Sequence, residues 1–148
     1  SEDKSLAFQF NGIKETSVSS KITDEIVSNF SQEKVQLNLG FSLSGNPVDS
    51  TIVLTILVKF KLKIAEKYKE FFSFTTDTIF KFKNLDEKLI KIEESEIFVD
   101  DDLMINLLSI SIGATRGMMS YKVSSFPFEL LLPLFDVSDI LEQANNKK

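Results

Sequence analysis

Apolar and polar residues alternate at Val35, Leu37, Leu39, Phe41 and Leu43, with Gln36, Asn38 and Ser42 between them. That period of two belongs to a β-strand with one face buried. A longer run follows, with Ile52, Leu54, Ile56, Val58, Phe60, Leu62 and Ile64 on one face and Lys59, Lys61 and Lys63 on the other. The cluster Ser44-Gly45-Asn46-Pro47 between the two runs predicts a turn, and so an antiparallel hairpin. The lysines read as a solvated face that guards a sheet edge. An earlier strand is expected where Leu6, Phe8 and Phe10 alternate with Ala7, Gln9 and Asn11, running on through Ile13. A fourth follows Lys67-Tyr68-Lys69, through Phe72, Phe74 and Thr76 to Ile79, Phe80 and Phe82. Its phase changes near Thr78, which predicts a bulge or a tight bend there. Ser20 to Ser31 has no clean period and reads as the crossover between the first and second strands. No fifth strand is expected.

The chain changes character after Phe82. Asn84 to Val99 mixes charges with Leu85, Leu89, Ile92 and Phe98, as a covering connection would. From Asp101 or Asp102 as N-cap, a helix is predicted to about Lys122. One stripe of it carries Met104, Leu107, Leu108, Ser111, Ile112, Thr115, Met118 and Met119; a second carries Leu103, Ile110, Ala114 and Tyr121. A helix apolar on two sides is covered twice, and in so small a domain the second cover is expected to be another chain. Gly113 and Gly117 each cost a helix about 1 kcal/mol relative to Ala, a loss that close approach of a neighbouring helix offsets. The stretch from Ser124 to Phe135 is very apolar and is broken by Pro127 and Pro133, so it is not one helix. A short terminal helix is expected after Asp136 as N-cap, fraying at Asn145-Asn146-Lys147-Lys148. These elements make an α+β fold in one domain spanning 1–148: a four-stranded antiparallel sheet, then a long helix and a short C-terminal one.

Composition removes most chemistry. The 148 residues contain no histidine and no cysteine, the commonest acid–base, nucleophilic and zinc-binding side chains. Glycine, at five scattered residues, forms no phosphate loop. Asp100-Asp101-Asp102 lacks the spacing and central glycine of a calcium loop and fits a helix start better. No catalytic residue, metal or cofactor is expected, and the protein reads as a non-enzyme. The net charge of −5 offers no basic excess for nucleic acid or an anionic membrane. No apolar run reaches the roughly 18 residues of a membrane span, and Ser1-Glu2-Asp3-Lys4 does not open as a signal peptide. A cytoplasmic location is the simplest expectation.

The order of elements and several local patterns resemble the SecB-like protein-export chaperones. The most specific match is Thr115-Arg116-Gly117 on the long helix, followed by Phe126-Pro127, Leu131 and Pro133, and an acidic residue opening a short helix from Asp136 to Leu141. Phe8-Gln9-Phe10-Asn11-Gly12-Ile13 resembles the family's first strand, Val35-Gln36-Leu37-Asn38-Leu39 its second, and Ile79-Phe80 the end of its fourth. The resemblance implies a four-stranded sheet with the long helix on one face, and a homo-oligomer built through strands and helices as a dimer of dimers. It also implies binding of unfolded or precursor polypeptides in protein transport. Members that serve the SecA motor dock it through an acidic patch near the first strand's end and on the fourth strand. Here that region is Lys14-Glu15-Thr16-Ser17 and Ser73, leaving Glu15 and Asp77 as docking candidates. Divergent members act as generic holdases or serve one partner such as an antitoxin.

A holdase needs exposed, adaptable apolar surface. The candidates for client binding are Phe126, Phe128, Leu130 and Leu132 in the proline-punctuated segment and Phe30 in the crossover, lining a groove between crossover and terminal helix. Each is equally readable as core. Phe8, Phe10, Gly113 and Gly117 are the candidates for the oligomer interface. Leu37, Leu39, Ile52, Leu54 and Ile56 read as ordinary core, and Arg116 as a structural ion pair or a donor to backbone carbonyls. A carrier of a lipid or small apolar ligand, and a structural module whose apolar loop is buried by one defined partner, are the competing functions.

Overall fold

The computed structural model describes residues 8–83, 88–93 and 96–146; the expected contribution of Leu6 lies outside them. In chain order the elements are β1 (Phe8–Ser20), α1 (Asp24–Asn29), β2 (Val35–Asn46), β3 (Thr51–Ile64), β4 (Lys67–Phe82), β5 (Ile90–Ile92), β6 (Ile97–Val99), α2 (Asp101–Lys122) and α3 (Val137–Asn146). Single 3₁₀ turns precede β2 and follow α2. The four long strands form one antiparallel sheet in the order β1-β4-β3-β2, and β5 and β6 form a separate two-stranded hairpin. The fold is the α+β arrangement expected, with three departures.

The first is the β5–β6 hairpin, where no further strand was expected. Three residues per strand are too few to display a period. Its Ile92 and Ile97 press on the end of β2 so closely that a Cβ on Gly45 would meet them at 2.9 and 3.0 Å.

The second concerns the bulge, which lies at Phe71 and not near Thr78. Phe60 pairs with Phe72 and Lys61 with Glu70, leaving Phe71 as the extra residue. Phe71 and Phe72 are both buried, and from there Phe74, Thr76, Thr78, Phe80 and Phe82 stay on the inner face without a break. Thr78 had looked like a change of phase only because a hydroxyl occupies a core position.

The third is the role of Lys59, Lys61 and Lys63. They do stand on the outer face, but β3 is an interior strand, so they guard no edge.

Helix α2 lies across the inner face of β3 and β4. Asp100, one residue ahead of the positions expected, is its N-cap and accepts from the Asp102 amide at 3.2 Å. The first stripe faces the sheet, with Leu107, Leu108, Ile112 and Met119 buried in one core with Ile52, Leu54, Ile56 and Val58. A polar seam runs through this contact. Thr76 and Thr115, both fully buried, bring their hydroxyls within 2.8 Å, and Thr115 also donates to the Ser111 carbonyl at 2.6 Å. Thr115 has one proton and spends it on that carbonyl, so Thr76 is the donor to Thr115.

The direction of this relay makes an asymmetric prediction. Thr115→Val leaves the buried Thr76 hydroxyl without an acceptor and should destabilise by about 1–3 kcal/mol. Thr76→Val removes only a donor whose acceptor keeps its other bond, and should lower stability by less than about 1 kcal/mol. Urea unfolding of the two variants measures the difference.

Candidate functional site

Six phenylalanines close the end of the core beside α1. The bulge points Phe71 towards the crossover, where it meets Phe30 edge-on with ring centroids 6.3 Å apart and Phe128 at 5.9 Å. Phe30 and Phe128 stack at 3.9 Å and 12°. Phe126 stands edge-on to Phe72 at 5.5 Å, and Phe60 lies against both Phe71 and Phe72. The Gln32 side chain donates to the Glu129 carbonyl at 2.6 Å, tying the crossover to the proline-punctuated segment. The predicted client residues Phe30, Phe126 and Phe128 are therefore brought together, but as half-buried partners of one another. Leu130 and Leu132, expected among the exposed members, are buried at 2% and 4% exposure, and their neighbours Leu131 and Leu134 face out at 61% and 87%. Where a groove between crossover and terminal helix is expected, Phe30, Phe126 and Phe128 pack on one another, and a cavity lies beside Phe126 and Phe128.

A half-open groove of mixed apolar and polar lining exists elsewhere, where α3 stands off the inner face of β2. One half-open cavity of about 570 Å³ lies among Phe41, Leu43, Ile97, Val99, Met104 and Leu141. Next to it, one of about 620 Å³ lies among Leu37, Leu39, Phe41, Leu134, Phe135 and Ile140. Phe41 and Ala144 line both, so the two form one groove along β2. Leu37 and Leu39, read as plain core, are half-buried and form part of its floor. Glu93, Glu96 and Asp101 rim one half and Asp136 and Asp139 the other. A third cavity of about 500 Å³ lies beside Val123, Phe126, Phe128 and Leu131.

Two polar devices hold the groove's α3 wall. Arg116 donates from Nε to the Leu132 carbonyl at 3.0 Å and from Nη2 to the Pro133 carbonyl at 2.9 Å, the backbone contact expected of it. Asp136 caps α3, accepting from the Ser138 hydroxyl and from the Ser138 amide at 3.0 Å. These bonds to its charged form hold its carboxyl below the usual carboxylate range.

Glu15 and Asp77 do not share a patch. Glu15 pairs with Thr76 on the inner face, where its carboxylate meets Lys122 at 2.8 Å. Asp77 is on the outer face, opposite Lys14, and accepts from Thr55 at 2.6 Å. Phe8 packs on Phe80 and Phe82 and Phe10 on Phe80, both on the edge strand β1. Gly113 and Gly117 lie on the outward side of α2 between exposed Ile110 and Tyr121, with nothing within 4 Å of a Cβ at either glycine. Among the described residues no cluster of three or more carboxylates is placed to hold a metal ion, and no helix is long and apolar enough to cross a membrane.

This architecture, a four-stranded antiparallel sheet under one long helix and closed by a short one, is the SecB-like chaperone fold. The Mycobacterium tuberculosis Rv1957 SecB-like chaperone, in complex with a ChAD peptide from the Rv1956 HigA1 antitoxin, superimposes with a TM-score of 0.57 over 87% of this chain and 88% of its own, at 10% identity. A protein of unknown function from Streptococcus agalactiae aligns over 87% of this chain and 97% of its own at 14% identity, with a TM-score of only 0.29. No family model and no curated protein matches the sequence.

Removing the Arg116 fork by Arg116→Ala should lower stability by about 1 kcal/mol, since two charge-assisted bonds in a half-exposed setting are lost. Faster amide exchange from Leu134 to Ile140 should accompany it. Arg116→Lys should recover only part of both effects, because an ammonium cannot span two carbonyls as a planar fork does.

Proposed function

We propose that this protein is a polypeptide-binding chaperone that holds extended, unfolded segments along the β2–α3 groove and does no chemistry on them. The groove itself carries the reading. Its floor of Leu37, Leu39, Phe41 and Leu43 is left half-open by the chain's own helices. Leu134, which lines one half of it, and Leu131, beside the cavity next to Phe126 and Phe128, add apolar surface exposed to solvent. Apolar side chains of this variety, open to solvent, accept many client side chains. The carboxylate rim favours clients with lysine or arginine beside their apolar residues. That the Rv1957 chaperone binds an antitoxin peptide supports a polypeptide client here, including a single dedicated one. The separation of Glu15 and Asp77 on opposite faces, each already bonded, favours holding without docking to SecA. A lipid carrier needs an enclosed apolar cavity, whereas these cavities are half-open and rimmed by carboxylates.

The first test is suppression of aggregation of a chemically unfolded, unrelated protein at near-stoichiometric amounts. The doubly substituted Leu131→Ser/Leu134→Ser chain should fold normally, since both side chains already face water, and should suppress several-fold less. A well-folded wild-type protein that suppresses nothing removes general holding and leaves a dedicated client.

We further propose that the outward face of α2 joins copies of the chain into an oligomer. Gly117→Leu fits the isolated chain and raises helix propensity, so it should preserve the circular dichroism spectrum while lowering the mass seen by light scattering. An unchanged oligomeric mass takes this face out of the interface.

A further inference from the structure

We propose that the outer face of the sheet, along the lysines of β3, docks an acidic polypeptide segment of another protein. This goes beyond client holding and stands independently of it, because it uses the face that turns away from the groove. Along β3 every inner position from Ile52 to Leu62 is buried, and every outer position from Thr51 to Lys63 is only half-buried. Lys59, Lys61 and Lys63 take three successive outer positions there. Strand β3 is paired on both sides, so these lysines guard no edge. Lysine is also a poor strand former, and like charges two residues apart on one face repel each other at about 7 Å. A stripe that protects nothing and costs the strand something calls for a partner outside the chain.

The chain's own carboxylates do not neutralise it. Glu70 reaches Lys59 at only 3.9 Å, and Glu66, its side chain 90% exposed, meets Lys63 at 3.4 Å. Solvated pairs of this kind contribute little. Lys61, between them, has no ion pair among the described residues, and faces Gln36 on one neighbouring strand and Glu70 on the other. At one end of the stripe a half-open cavity of about 390 Å³ brings Lys34 and Tyr68 beside Lys63, with Glu33 and Glu66 also in its lining. At the other end comes half-buried Leu57, whose neighbour on β2 is Gly40, where a Cβ would meet nothing within 4 Å. Lys14 and Lys81 stand further along the same face with Asp77. This positive face belongs to a chain of net −5 whose groove, on the other side, is rimmed by carboxylates. The fitting ligand is a run of Asp or Glu beside one apolar residue, the carboxylates on the lysines and the apolar side chain on Leu57. Gln36 and Asn38, alongside, offer amides to its backbone. A nucleic acid fits less well. Tyr68 gives a single stacking surface, off the end of the stripe, and the net negative charge of the chain opposes a densely charged polyanion.

The test measures, by fluorescence anisotropy, how a labelled peptide of alternating glutamate and serine ending in leucine binds the full chain. The peptide should bind in dilute salt and weaken steeply between roughly 50 and 200 mM salt. Lys59→Thr/Lys61→Thr/Lys63→Thr should weaken binding by about tenfold or more. Threonine is the better strand former, so this variant should keep its circular dichroism spectrum and its urea midpoint. Lys21→Ser/Lys83→Ser/Lys122→Ser removes the same charge away from β3 and should leave binding within about twofold. No peptide binding by the folded wild type, or equal loss in the two triple variants, overturns the proposal. Tighter binding of single-stranded DNA or of anionic lipid vesicles through the same lysines overturns it in favour of a nucleic acid or a membrane surface. A mass by light scattering that falls in the threonine variant without any peptide overturns it in favour of a second copy of the chain. Suppression of aggregation by the threonine variant should stay at the wild-type level; its loss would make the stripe part of client holding and overturn a separate dock. A folded wild type that suppresses nothing removes client holding alone, and the peptide result still decides the outer face.

Discussion

A single helix is narrower than the sheet it must cover. An α-helix with its side chains is about 10–12 Å across, and four strands at about 4.8 Å spacing present a wider apolar face than that. Helix α2 settles over β3 and β4, where Ile52, Leu54, Ile56, Val58, Phe74 and Phe80 lose almost all contact with water. The flanking strands must find other cover. On β1 the demand is small, since beyond Phe8 and Phe10 its inner positions hold Ile13, Glu15, Val18 and Ser20. On β2 it is large, because Val35, Leu37, Leu39, Phe41 and Leu43 all face inward. Among the described residues α3, the β5–β6 hairpin and the segment before α3 are left to cover them, and they do so incompletely. The groove is the unpaid remainder of that geometry.

How wide the groove stays depends on polar contacts more than apolar ones. The apolar face of α3 alone would favour closing down on β2. Arg116 holds the carbonyls of Leu132 and Pro133 to α2, so the wall's approach is set by the position of that helix. The relay from Thr76 through Thr115 to the Ser111 carbonyl in turn fixes where α2 sits on β4, because a hydrogen bond has a direction that hydrophobic contact lacks. At the opposite end, Gly45 lets Ile92 and Ile97 press on the backbone of β2, and the hairpin closes that mouth.

Sequence legibility followed the strength of the local period. The long strands, α2 and the Asp136 cap were readable because many residues repeat one pattern or one side chain has a specific job. The turn joining β3 to β4 was not: Ala65 and Glu66 both take positive φ, 49° and 68°, without the asparagine or glycine that usually announces it. The bulge was misplaced because threonines at 76 and 78 fill core positions that the eye reserves for hydrocarbon. Between Pro127 and Pro133 no regular element sets a phase, so nothing in the string Leu130-Leu131-Leu132 says which leucine points inward. Of the expected client residues, Leu130 and Leu132 turn inward while Leu131 and Leu134 face out, and Phe126 and Phe128 stand half-buried against Phe72 and Phe71. The groove itself escaped notice because it follows from the width of a helix against the width of a sheet, which no stretch of sequence displays.

Strand β2, an edge without charge or proline beside the groove, is also a hazard, since identical copies meet at every concentration at which the protein works. The distribution of charge bears on that hazard. The chain carries a net −5, and Glu93, Glu96, Asp101, Asp136 and Asp139 are gathered where two copies would approach edge to edge. Like charges oppose that approach.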